Sequence, residues 1–267
     1  MNSSYQITVE IGGMPILLHT QDDSFRQLLA RRYAGFVDSS TPPRFEFDIE
    51  LTTPRASAPD EDVRVEMQDG RWRLRRGDFH AQWDPDAGRG RIRQSANSYS
   101  IDSVLRIVHT LILAREGGFL LHSAGAIRNG RAFLFSGVSG AGKTTISRLA
   151  PSDVTLLTDE VSYIRRNDVD SGYRACGTPF AGELARVGEN CSAPIASLFF
   201  LKQGPENKID PMSKSEAIRR LMRNILFFAG DAELVENVFQ SACEFVERVP
   251  VRRLTFTPDT RVWDLIR

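Results

Sequence analysis

Residues 137–145, Gly-Val-Ser-Gly-Ala-Gly-Lys-Thr-Thr, have the types and spacing to hold the phosphates of a nucleoside triphosphate. They complete the pattern G-x-x-x-x-G-K-[ST], in which each part has its own electrostatic task. Gly137, Gly140 and Gly142, with Ser139 and Ala141 between them, permit a tight turn whose N–H groups face the phosphates. Lys143 supplies a compact positive charge for the β- and γ-phosphates; the Thr144 hydroxyl is a ligand for Mg²⁺, and Thr145 closes the motif. The chain has four lysines beside thirty arginines, so chance would place this pattern in roughly a few of every thousand such chains. The motif predicts ATP and Mg²⁺ as ligands.

A phosphate cradle binds; transfer needs a further metal contact or a proton acceptor. Asp159 follows the apolar run Val154–Leu157 and stands sixteen residues after Lys143, the distance of one helix and a return strand. A carboxylate at the C-terminal end of that strand faces the phosphate site, where it can orient Mg²⁺ or take the proton of an acceptor hydroxyl. Glu160, next in the strand, is expected on the opposite face. His122 interrupts the apolar run Phe119-Leu120-Leu121 and is read either as a satisfied strand residue or as a member of the site. Arg174, Arg186 and Arg253 are candidates for steadying a transferring phosphoryl group.

These residues need elements to position them. Asn129-Gly130 between two apolar stretches predicts a two-residue hairpin, so the strand feeding the loop pairs antiparallel with its predecessor, unlike most P-loop sheets. A helix is expected over 143–150, a strand over 154–157, and a helix after the capping box Ser213-Lys-Ser-Glu216, with Ile225 and Leu226 on its apolar face. Asp231 is expected to cap another helix, and 251–257 to form a last strand. Ser100, Asp102 and Ser103 are expected to open a connecting helix over 99–117, closed by Gly117-Gly118. Before it, residues 1–98 read as a small α+β domain: strands over 5–19, a helix over 24–36 and an alternating strand at 45–51. His19 and His80 have no partner at motif spacing there. Residues 118–267 form the domain that carries the loop, and the fold class is α/β, α+β overall.

The stretch Leu-His-Ser-Ala-Gly-Ala-Ile-Arg-Asn-Gly-Arg-Ala-Phe-Leu-Phe-Ser-Gly-Val-Ser-Gly-Ala-Gly-Lys-Thr-Thr, followed by Leu-Leu-Thr-Asp-Glu-Val, resembles the catalytic domain of HPr kinase/phosphorylase. That family shares its nucleotide core with ATP-dependent phosphoenolpyruvate carboxykinase. The resemblance implies a P-loop core with a mixed sheet, Lys143 as phosphate lysine, Thr144 as metal-binding hydroxyl, Asp159 as proton acceptor and His122 as the strand histidine. Where that family has Ser-Glu after the lysine this chain has Thr144-Thr145, and Glu160 replaces the second Asp of its pair. Glu183, in Gly-Thr-Pro-Phe-Ala-Gly-Glu, stands for its metal-binding Glu. The rest of the second domain looks closer to HPr-kinase-like proteins of peptide-modification systems, some of which phosphorylate a serine of a ribosomally made peptide.

The expectation is therefore an ATP- and Mg²⁺-dependent kinase acting on a hydroxyl, that of a Ser in a peptide or protein. A small-molecule hydroxyl kinase and a non-catalytic nucleotide-binding module are the alternatives. Composition fits a globular chain: zero formal net charge gives no reason for a nucleic-acid partner, and Arg71–Arg76 and Arg89–Arg93 read as solvated strand faces. Cys176, Cys191 and Cys243 match no metal spacing and suit reduced thiols in a cytoplasm. The longest apolar stretch, within 101–114, is broken by Asp102, Arg106 and His109, so no membrane partner is expected. A homo-oligomer is left open.

Overall fold

The computed structural model describes residues 4–38, 40–53, 62–167, 172–180, 182 and 188–267. The chain divides into two units, Met1–Leu111 with Phe227–Val235, and Ile112–Leu226 with Glu236–Arg267.

In the first unit, β1 (Tyr5–Ile11), β2 (Met14–Thr20), α1 (Asp23–Arg32), β3 (Phe45–Leu51), β4 (Arg64–Gln68), β5 (Arg71–Arg76), β6 (Phe79–Asp84) and β7 (Arg89–Gln94) precede α2 (Ser98–Glu116). The strands form a seven-stranded sheet in the order β1-β2-β3-β7-β6-β5-β4. Period-2 alternation decides its faces: Phe45, Phe47 and Ile49, like Trp72, Leu74, Ala81, Trp83 and Ile92, are buried, while the residues between them are charged or polar. Phe45 meets Trp83 edge to face at 5.2 Å. Helix α1 begins where Asp22 Oδ1 accepts from the Phe25 amide at 2.8 Å, and it ends at Arg32, short of the expected 36.

Helix α2 corrects another expectation. Its first-turn cap is Asn97, whose Oδ1 accepts from the Ser100 amide at 2.9 Å. Asp102 is buried instead, taking hydrogen bonds from Arg32 Nη2 at 2.5 Å and Tyr33 Oη at 2.7 Å. The carboxylate's role is tertiary, and only chain folding brings its partners to it. Burial, and next the Asp102 charge, raise the Tyr33 phenol well above its usual pKa, so it stays a donor.

In the second unit come β8 (Phe119–Arg128), β9 (Arg131–Ser136), α3 (Lys143–Arg148), β10 (Thr155–Thr158), β11 (Val161–Arg166), β12 (Tyr173–Cys176), β13 (Ser192–Gln203), β14 (Lys208–Pro211), α4 (Lys214–Met222), β15 (Ile225–Leu226), α5 (Ala232–Arg248, from Glu236 onward in this unit) and β16 (Val251–Phe256), then a 3₁₀ turn at Thr260–Leu265. Strands β8–β16 make one mixed sheet among the described residues. β8 and β9 pair antiparallel through the Asn129-Gly130 turn, as the sequence predicts, whereas β13 runs parallel to both β9 and β16. One face packs Leu121, Leu134, Leu157 and Phe200 against Leu221 of α4 and Phe245 of α5. The other packs Ala124, Phe135 and Leu201 against Ile146 of α3 and Trp263 of the 3₁₀ turn. The result is a mixed α/β architecture with layers on both sides of the sheet.

Two further boundaries differ from expectation. Helix α3 stops at Arg148, and Ala150-Pro151 follow, because the proline cannot continue the helical hydrogen bonds. Ile225 and Leu226 leave the helix and pair with Leu121 and Leu120 of β8. That edge of β8 is unfilled beyond the end of β9, and strand pairing satisfies its backbone groups there. No helix among the described residues is long and apolar enough to cross a membrane.

His109 of α2 is fully buried, and burial pulls its pKa from 6.5 to about 3. The fold holds the ring neutral, while the unfolded chain takes up a proton as pH falls through 6.5. Stability is therefore full above that pH and lost progressively toward about 3. Between pH 7 and 5 the native chain should lose about 2 kcal/mol more than His109→Leu, with the carboxylates common to both cancelling. Urea denaturation of both proteins at the two pH values checks this; parallel losses would refute it.

Candidate functional site

The loop leaves β9, a strand buried along Ala132–Ser136 because β8 flanks it on one side and β13 on the other. Two glycines fix how it turns. Gly137 has φ +154°, and a Cβ there would lie 2.8 Å from that of Ala141; Gly142 has φ +109°, and a Cβ there would lie 2.6 Å from the Phe256 ring. Lys143 is nearly buried and donates from Nζ to the carbonyls of Gly137 at 3.1 Å and Val138 at 3.4 Å. Its ammonium is thus folded back over its own loop. Thr144 and Thr145 follow in the first turn of α3, and Ser139 lies at the exposed tip.

Strand directions place this loop at an edge suited to a ligand. β9, β13 and β16 are parallel, so Ser136, Gln203 and Phe256 end on one side of the sheet, where ligands of open α/β sheets bind. Gln203 Nε2 donates to the Gly140 carbonyl at 2.8 Å and braces the loop, and Phe256 fills the space under Gly142. Neither residue belongs to a recognisable motif. Only their positions at the ends of β13 and β16 give them away.

Asp159 and Glu160 lie between β10 and β11, which run successively along β8. Thr158 pairs with Gly125, and three residues on Val161 pairs with His122, so Asp159 and Glu160 keep the register opposite Ala124 and Ser123. The Ser123 amide accordingly donates to the Glu160 carbonyl at 3.0 Å. Residues opposite one another share a face. Asp159 and Glu160 themselves form a bend, and both border Gly182, while His122, Ala124 and Phe135 share the sheet face against which α3 packs.

The Asp159 carboxylate is 6% exposed and accepts from the Gly182 amide at 2.9 Å. Two threonines hold its segment. Thr158 Oγ1 accepts from the amides of Glu160 and Val161, and the fully buried Thr178 donates to the Val161 carbonyl at 2.8 Å and lies 3.2 Å from Thr158 Oγ1. His122 stands one step beyond the last β8·β9 pair, Ser123–Ser136, where the loop departs, and its carbonyl accepts from Ser136 Oγ at 2.8 Å.

The structure thus places His122 on β8, the loop at the end of the neighbouring β9, and Asp159 with Glu160 in the bend that follows β10 along β8. Arg174 is committed to Ser192, with Nη2 2.9 Å from its carbonyl, and Arg253 to Glu216 at 2.9 Å. Glu183 and Arg186 lie outside the described residues. Among the described residues no three His, Cys, Asp or Glu side chains cluster to hold a metal ion. Of the expected ligands, Thr144 and Asp159 are hard oxygen donors of the kind Mg²⁺ takes when nucleotide phosphates complete its shell.

A family model described as SynChlorMet cassette protein ScmC matches residues 92–267. The chain belongs to this family. The ScmC match takes in His122, the whole loop, Asp159, Thr178, Gln203 and Phe256. A comparison with curated proteins returns no match.

Replacing Gly142 by Ala combines a disfavoured φ with a clash against Phe256. The variant should be destabilised by about 2 kcal/mol, and adding Phe256→Leu should recover part of that loss, since the strain in φ remains. Chemical denaturation of the two single variants and the double variant measures the coupling; strictly additive losses would contradict the contact.

Proposed function

We propose that this protein is a kinase with an HPr-kinase-like nucleotide core, passing the γ-phosphoryl group of ATP to a hydroxyl, that of a Ser in a peptide or protein. The observation that carries this reading is a complete phosphate loop at the end of β9 with His122 on the neighbouring β8 and Asp159 in the bend that runs alongside β8. Phosphoryl transfer asks chiefly for positioning and charge neutralisation, and these residues are of the types that supply both.

The loop residues 137–144 would cradle the phosphates through backbone amides, with Lys143 turning its ammonium from the carbonyls of Gly137 and Val138 to the β- and γ-oxygens. Thr144 and Asp159 would hold Mg²⁺, which when bound neutralises charge on the phosphate oxygens. Asp159 accepts the proton of the acceptor hydroxyl as its oxygen bonds to phosphorus and the bond from phosphorus to ADP breaks. Its hydrogen bond from Gly182 and the Thr158–Thr178 clamp limit the orientations the carboxylate can take. His122 is the next candidate for the proton. The family's description as a cassette protein directs the search for an acceptor to the products that accompany it.

Lys143→Ala should abolish transfer and weaken ATP binding. Asp159→Asn should keep ATP binding while transfer falls about 100-fold or more, the scale of losing a positioned proton acceptor. Calorimetry for ATP beside a radiolabel transfer assay separates the two effects; undiminished transfer in Asp159→Asn would move the base to His122, and in Lys143→Ala would remove the loop from the reaction.

With ATP and Mg²⁺, mass spectrometry should find the mass of one phosphate on a serine-bearing peptide or protein encoded beside this chain, and none on HPr. Phosphorylation of HPr alone would refute the assigned acceptor. Labelling of free serine would replace it with a small-molecule hydroxyl. ATP bound without turnover on any acceptor would leave a binding module.

A further inference from the structure

The solvent face of the first unit's sheet carries a charge imbalance that the sequence pattern understates. Arg71, Arg73 and Arg75 on β5 and Arg89, Arg91 and Arg93 on β7 occupy alternate positions, so all six lie on the side opposite Trp72, Leu74 and Ile92. β6 runs between them and adds His80, Gln82 and Asp84 to the same side. The registers stack these residues in three rows: Arg75–His80–Arg93, Arg73–Gln82–Arg91 and Arg71–Asp84–Arg89. Asp84 is the single carboxylate on this face of the three strands.

Close ion pairs engage only three of these six arginines. Arg71 meets Asp84 at 3.4 Å, Arg89 meets Glu46 at 3.5 Å and Arg93 meets Glu50 at 3.3 Å. Arg73, Arg75 and Arg91 pair with no carboxylate among the described residues. At the Arg75–His80–Arg93 end the surface hollows into a concavity of about 820 Å³, to which Thr52, Thr53 and Ser95 add hydroxyls. Its one acid, Asp78, is already consumed by a two-point pair with Arg76 and a bond from Ser100. His80 Nε2 is buried there without a hydrogen-bond partner. Burial, and then Arg75, Arg93 and Arg73, hold its pKa below the usual histidine range, as a region of positive potential requires.

We propose that this face of β5, β6 and β7 binds a short acidic segment of a peptide or protein partner. The footprint sets the kind of partner. From Arg71 to Arg75 the cationic rows run about 13 Å and across the three strands about 10 Å, the reach of roughly four extended residues. Glu46, Asp48 and Glu50 on β3 bound the patch on one side, and β4 adds Arg64 and Glu66 with no net charge on the other, so an anion that extends over β3 meets like charge. The aromatic side chains of β3, β5 and β6, namely Phe45, Phe47, Trp72, Phe79 and Trp83, are all buried, so the strands of the patch offer no platform on which nucleic-acid bases would stack. Arginine forks suit carboxylates, which they engage two oxygens at a time. This inference stands apart from the kinase reading.

The test is fluorescence anisotropy of the full chain, without nucleotide, against a labelled peptide of about eight alternating Asp and Glu residues, its Asn/Gln counterpart and a labelled oligothymidylate. The acidic peptide should bind at least about tenfold more tightly than the neutral one in low salt and weaken as salt rises. The triple variant Arg73→Gln, Arg75→Gln, Arg91→Gln should lose about tenfold or more of that affinity with its thermal melt retained. Should that variant fail to fold, Arg91→Gln alone, at an exposed position, should lose about threefold. Equal affinity for the two peptides, unchanged affinity in the variants, or tighter binding of the oligothymidylate would overturn the proposal.

Discussion

The candidate site depends on the register of one strand, β8, against its neighbours on both edges. On one edge β9 pairs with residues 123–128, and on the other β10 and β11 pair with residues on both sides of Ser123 and Ala124. Side-chain direction along a strand has a period of two, so a slip of one residue would turn the side chains of β10 and β11 that flank Asp159 to the opposite face. Register therefore fixes where the bend carrying Asp159 and Glu160 meets β8. The turn at Asn129-Gly130 sets it at one end, with φ of 52° and 72° suited to a two-residue hairpin. Buried hydroxyls set it at the other: Ser123 bonds Ser162 at 2.8 Å, and Ser136 bonds the His122 carbonyl. A slip would leave these groups buried without partners, at a cost of about 1–3 kcal/mol each.

Features whose cause is local were legible in the sequence. The loop is legible because only glycines tolerate its backbone, and the hairpin because Asn-Gly has a strong conformational preference. The capping box is legible because Ser213 Oγ accepts from an amide three residues away, that of Glu216. Asp159 could be found from spacing, since a helix and a return strand have a narrow range of lengths. What escaped has its cause elsewhere in the chain. Nothing around Thr178 announces that it clamps Thr158, and Gln203 matters through a loop residue 63 positions away. Asp102 has the sequence context of a helix cap, yet its partners are 69 and 70 residues away. Ile225 and Leu226 fit a helical period equally well, and the open edge of β8 decides against it. Tertiary contacts outweigh local preference when the two differ by only a few tenths of a kcal/mol per residue.

Zero net charge also hides how the charges are arranged. In the first unit arginines concentrate on two strands of one sheet face while the acids lie on the strands beside them, so local potential and total charge say different things. Arg128 of the second unit serves structure instead. It bonds Asp153 at 2.9 Å and the carbonyls of Trp263 and Ile266, tying the 3₁₀ turn to the sheet. Trp263 Nε1 in turn donates to the Ile146 carbonyl of α3 at 3.2 Å, so the helix after the loop is tied to the same turn. One residue type thus does two jobs, told apart by whether its guanidinium is already satisfied.

The same reasoning explains why the loop cation is a lysine in a chain with thirty arginines and four lysines. A cation that is 9% exposed must have its donors satisfied, because an unpaired buried charge is costly. Lys143 has three donors on one small head, and the carbonyls of Gly137 and Val138, adjacent in a tight turn, take two of them. A guanidinium spreads five donors over a rigid plane, and two neighbouring carbonyls of one turn cannot satisfy it. In the proposed function the lysine would also lose little on meeting a phosphate. Ionised oxygens form hydrogen bonds roughly twice as strong as those from the two carbonyls, and the lysine side chain is already ordered over the loop. The carbonyls of Gly137 and Val138 thus hold the cation over the loop, and in the proposed function a phosphate would replace them.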